Sequence, residues 1–122
     1  MKQDLLKFIE KFNIINRSME SFWEIFENYR TNPEYTEEFY DVFGKFDEKS
    51  FMVSMKEISY NLQSVSKDSY EYITLYMEMV YKGKQIGYYK PVFNRKGEWA
   101  DDYFVTYTVN TKGRVWRLTN QP

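Results

Sequence analysis

The chain predicts an α+β fold, three N-terminal helices packed on one face of a five-stranded antiparallel meander, and three observations predict it. Apolar residues up to about residue 45 recur at helical spacing. From about residue 55 onward β-rich runs alternate with turn signals at Lys67-Asp68, Gly83-Lys84, Lys96-Gly97 and Lys112-Gly113. The length of 122 residues and the hydrophobic fraction of 43% suit one core, so residues 1–122 read as a single domain.

Leu5, Phe8, Ile9, Phe12 and Ile15 make residues 3–15 an amphipathic helix, and Ser18 is placed to cap the next one. Met19, Phe22, Trp23, Phe26 and Tyr29 form the stripe of that second helix, which Thr31-Asn32-Pro33 stops. Pro33 suits the first turn of a third helix whose Tyr35, Phe39, Val42 and Phe43 lie to one side, with Gly44 as its C-terminal cap. Residues 51–65 satisfy both patterns. Phe51, Met55, Ile58, Leu62 and Val65 fit a helix, while Ile58, Tyr60 and Leu62 alternate as in a strand, which is preferred from about 55 because four β-rich runs follow.

Turn positions fix register, and a slip of one residue moves every side chain to the other face. Turns centred on the four signals pair Leu62 with Ile73, Met77 with Lys90, Lys90 with Tyr103 and Val92 with Asp101, and bring Trp116 and Leu118 beside Tyr107 and Val105. In that register one face stays apolar across five strands, and the helices need such a face to cover their aromatic stripes. Helices followed by a curved meander resemble the cone-shaped folds of the cystatin and nuclear transport factor 2 superfamilies. The resemblance lies in element order and rests on no motif, so no functional residue follows from it.

Composition narrows the chemistry. The chain has neither cysteine nor histidine, which removes disulfides, thiolate nucleophiles, Ser-His-Asp catalysis and most transition-metal sites. No Gly-rich phosphate loop or other cofactor motif is present. An enzyme is therefore the less expected class, and neither metal nor cofactor is expected. No apolar run approaches the roughly 20 residues that cross a bilayer, and the charged start at Lys2, Asp4 and Lys7 lacks a secretory apolar stretch, so a cytoplasmic protein is expected. Charge is uneven: residues 1–61 hold 8 Lys/Arg against 12 Asp/Glu, and residues 62–122 hold 9 against 6.

Three places invite function. On the helix-facing side, Lys90 and Asp101 interrupt the apolar surface with Tyr103 opposite Lys90. Charges buried there require pairing or a wet pocket, and in cone-type folds such a pocket binds a small ligand or moves a proton, with Asp101 as base and Tyr103 as donor. On the outer face the register gathers Tyr72, Tyr76, Tyr89, Pro91, Phe93 and Phe104, too aromatic for plain solvent surface, which points to self-association or a partner. The third place is acidic. Residues 20–48 carry nine acidic side chains, Glu34, Glu37, Glu38 and Asp41 among them, against Arg30 and Lys45, a balance of −7 that suits a basic protein partner, in the manner of immunity or antitoxin-type inhibitors. A solvated helix face, an ordinary structural ion pair and wet strand-forming tyrosines are the bland accounts of the same residues. Asp101 and Asp102, adjacent on a strand, point to opposite faces and cannot share a ligand. The basic residues Lys82, Lys84, Lys90, Arg95 and Lys96 lie mostly in turns, so nucleic acid is not an expected partner.

Overall fold

The computed structural model describes residues 2–65, 68–107 and 115–118. The chain is α+β. Three helices, α1 (Lys2–Lys11), α2 (Ile14–Thr31) and α3 (Thr36–Phe43), precede an antiparallel sheet of β1 (Phe51–Val65), β2 (Asp68–Tyr81), β3 (Lys84–Asn94) and β4 (Trp99–Tyr107) in sequential order. Four long strands carry the helices where five were expected; a further segment, β5 (Val115–Leu118), is four residues beside Phe104–Tyr107. Among the described residues no helix is long and apolar enough to cross a membrane.

The first helix stops earlier than its apolar spacing suggests. Asn13 takes the left-handed conformation, φ 53°, which asparagine tolerates better than most side chains. α2 therefore starts at Ile14, and Ser18, expected as a cap, is buried inside it. Tertiary contacts select this break. Arg17 Nη1 donates to the carbonyl oxygens of Phe12 at 3.1 Å and Gly97 at 2.8 Å, and its guanidinium lies 5.1 Å from the Phe93 ring centroid. The end of α2 follows the sequence: Asn32 Oδ1 accepts from the Glu34 N–H at 3.0 Å, and Pro33 opens a single 3-10 turn leading into α3. Gly44, at φ 62°, closes α3.

The ambiguity over residues 51–65 resolves into one strand with a bulge. Between Met55 and Glu57 the pairing slips by one residue, so Phe51, Val53 and Met55, then Ile58 and Tyr60, all pair with residues of the same face of β2. A two-residue period displaced once imitates the three- and four-residue steps of a helix.

The same device corrects the register. Val65 pairs with Asp68, two residues in register from expectation, which leaves the faces of β1 and β2 unchanged. The β2–β3 turn is Lys82-Gly83, both with positive φ (51° and 79°), as a two-residue hairpin of the primed type requires, rather than Gly83-Lys84. A bulge between Met79 and Val80 then returns one residue, so Met77 faces Tyr89 instead of Lys90. The net slip of one exchanges the two faces of β3 and β4. The β3–β4 pairs, Lys90 with Tyr103 and Val92 with Asp101, are those predicted. At β5, Trp116 pairs with Thr106 and Leu118 with Phe104, one residue from expectation, and the expected turn at Lys112-Gly113 lies outside the described residues.

Among the described residues the helices cover one face of the sheet. Phe22, Ile25, Phe26 and Tyr29 of α2 and Phe39 and Phe43 of α3 pack on Met77, Met79, Tyr81, Tyr89 and Phe104. A smaller cluster joins Ile9 and Ile14 to Ile73, Leu75 and Phe93.

Candidate functional site

On the opposite face, which no helix among the described residues covers, the exchange of faces brings together two groups of side chains that the sequence had separated. Lys90, Asp101 and Tyr103, expected to face the helices, stand here instead. They line a concavity of about 690 Å³ with Tyr72, Asn61 and Thr74, in which Asn61 Nδ2 donates to Thr74 Oγ1 at 3.3 Å. Tyr72 and Tyr76 share this face, as the sequence predicts. Tyr89, Phe93 and Phe104 do not: they are 0%, 0% and 1% exposed and belong to the core. Pro91 is buried with them. Their places on the open face are taken by residues that the predicted register turned inward, Tyr88 and Tyr107. Tyr76 stacks on Tyr88, with centroids 5.1 Å apart and planes at 28°, and Gln85 Nε2 donates to the Tyr76 hydroxyl at 3.2 Å. Burial first, and then the neighbouring Tyr76 and Tyr88, raise the Tyr107 pKa. The open face thus carries a tyrosine cluster at one end and the Lys90–Asp101 region at the other. Strand alternation after the Lys82-Gly83 turn could have placed Tyr88 correctly, had the Met79–Val80 bulge been legible.

Beneath the helices, the carboxylate that matters is Asp102, fully buried one residue away from the predicted Asp101. The Tyr89 hydroxyl donates to Asp102 Oδ2 at 2.7 Å and lies 2.8 Å from Ser21 Oγ on α2, which ties helix to sheet. A parallel contact joins α2, α3 and β4: Tyr29 Oη is 3.3 Å from Thr106 Oγ1, whose hydroxyl donates to Glu38 Oε1 at 3.2 Å. Glu38 is therefore half-buried against core hydroxyls rather than displayed on an acidic surface.

These buried tyrosines make stability depend on alkaline pH. Desolvation is the main cause that raises both Tyr29 and Tyr89 well above the ordinary value of 10.0. Above that value the unfolded chain loses protons that the folded chain keeps, so the stabilisation is intact below pH 10 and falls as pH rises beyond it. The expected slope is up to about 1.4 kcal/mol per pH unit per tyrosine. Urea unfolding at successive pH values checks this; Tyr89→Phe should make the decline shallower, and a flat profile for the wild type would sink it.

The other acidic residues are unevenly displayed. Glu20, Glu24, Glu34 and Glu37 are exposed, Asp41 is half-buried, and Arg30 is occupied by Glu27 at 3.5 Å and Glu48 at 3.0 Å. Two large rings share this layer, Trp23 at 43% and Tyr40 at 66% exposed. Among the described residues no group of three carboxylates is arranged to hold a metal ion.

Compared with protein-family models, with curated proteins and with solved structures, the chain matches none of them.

Proposed function

We propose that the chain is a non-catalytic protein-binding domain whose acidic helical layer docks a basic protein. One observation carries the reading: the exposed carboxylates Glu20, Glu24, Glu34 and Glu37 form no ion pair among the described residues, while the exposed rings of Trp23 and Tyr40 accompany them. Unneutralised charge steers a basic partner and rejects acidic ones, and exposed aromatic rings supply the desolvated anchors that charge alone does not. Inhibition of a basic nuclease, as immunity proteins and antitoxins achieve it, is the most specific form of this proposal. The alternative of a cone-type pocket with Lys90, Asp101 and Tyr103 as its acid–base groups loses its basis, because those residues do not face the helices.

Calorimetric titration against a panel of basic nuclease domains tests the proposal. A partner should bind the wild type, and Glu34→Lys with Glu37→Lys should weaken it at least about tenfold, as should raising the salt from about 0.05 to 0.3 M. Binding that ignores both salt and the charge reversal, or no binding across the panel, would overturn it.

A further inference from the structure

The open face of the sheet is a second candidate surface, independent of the acidic layer, and we propose that its occupant is a second copy of this chain. Three observations favour a copy over an unrelated partner. The face carries charges of both signs, Lys56 and Lys90 against Glu57, Glu78 and Asp101, and Lys56 already reaches Glu78 at 4.0 Å. A surface of mixed sign is complementary to itself under a two-fold axis, where residue i meets j and j meets i. Lys90 and Asp101 are diagonal neighbours on β3 and β4, through the pairs Lys90 with Tyr103 and Val92 with Asp101. An axis lying in the plane of the face and bisecting the line between them sets each Lys90 over the other copy's Asp101.

The second observation is what shares this face with the pair: Tyr72 and Tyr103 beside it and Tyr76, Tyr88 and Tyr107 toward the other end, large rings with polar tips of the kind that protein interfaces favour. Four strands about 4.8 Å apart, sharing some ten residues at about 3.3 Å each, give roughly 600 Å² in projection, and side-chain relief brings this near the roughly 800 Å² per partner of a standard interface. The third is exclusion. Two copies meeting through their helices would oppose the two acidic layers, whereas meeting through the sheets leaves those layers outermost and farthest apart. The dimer then displays two acidic surfaces, although the proposal does not depend on what binds them.

Sedimentation velocity on the full chain tests it with a charge exchange. The wild type should sediment as a dimer at about 10 μM. Lys90→Asp and Asp101→Lys, each of which opposes like charges, should weaken association at least about tenfold, and Lys90→Asp combined with Asp101→Lys should restore it. Tyr88→Lys, on the same face, should also give monomer, with circular dichroism confirming that each variant is folded. A monomeric wild type at about 100 μM, or single variants that dimerise as well as the wild type, would overturn the proposal.

Discussion

Gly87→Ala is expected to lower the unfolding free energy by about 3 kcal/mol or more, the upper range for overpacking. Gly87 sits in the middle of β3, paired with Thr106 of β4. A Cβ built on it would lie 2.1 Å from the Val105 carbonyl oxygen and 2.9 Å from the Met79 methyl carbon. The methyl is the end of a flexible side chain and can move; the carbonyl belongs to the backbone of the neighbouring strand and cannot yield without parting β3 from β4. The affected stretch holds Tyr88 and Tyr89, so the open face and the Tyr89–Asp102 contact are disturbed together. In thermal unfolding the midpoint should fall by roughly 10 °C or more for a domain of this size. An unchanged midpoint would show that the two strands do not approach so closely.

Phe26→Ala is expected to cost about 3–5 kcal/mol, a large part of the whole stability of a small domain. Phe26 is 1% exposed, and its ring lies 4.6 Å from that of Phe51 and 5.8 Å from those of Phe22 and Phe46. Phe39 and Phe43 of α3 close the other side at 6.0 and 5.9 Å. Truncation removes the ring that α2, α3 and the start of β1 share, and rigid neighbours on every side collapse poorly into the cavity. Urea denaturation should show the loss at an unchanged m-value, whereas Leu6→Ala, at a position 52% exposed, should change stability little. Equal effects at the two positions would contradict the packing described.

Much of the fold was legible because periodicity reports burial directly. The stripes through Phe22, Phe26 and Tyr29 and through Phe39 and Phe43 became core, and the β3–β4 pairs of Tyr88 with Val105, Lys90 with Tyr103 and Val92 with Asp101 are those expected, up to a shift between Val92 and Phe93. The facing of the later strands was not legible, and the physical cause is local. A β-bulge leaves no compositional mark, yet each one transfers all later side chains to the other face. The bulge at Met79–Val80, together with a turn one residue early at Lys82-Gly83, turned Lys90, Asp101 and Tyr103 outward and Tyr89, Phe93 and Phe104 inward. Tyr72 and Tyr76, on β2, kept the face expected of them. The acidic positions Glu34 and Glu37 kept their predicted exposure because short helices offer no such ambiguity, while Glu38, one residue on, turned to meet Thr106.

The sequence by itself determined the class and order of elements, a layer of acidic helices and an excess of tyrosine, since these follow from local spacing and composition. Only the tertiary structure decided which tyrosines are core and which are surface, that Asp102 rather than Asp101 is buried, and that α1 ends at Lys11. Each of those outcomes depends on a contact between distant parts of the chain: Arg17 reaching the Gly97 carbonyl, Tyr89 reaching Asp102, and the one-residue slip at Met79–Val80 that sets Tyr89 rather than Lys90 opposite Met77 beneath α2. Local propensity is nearly indifferent among the alternatives, and burial of the aromatic core selects one.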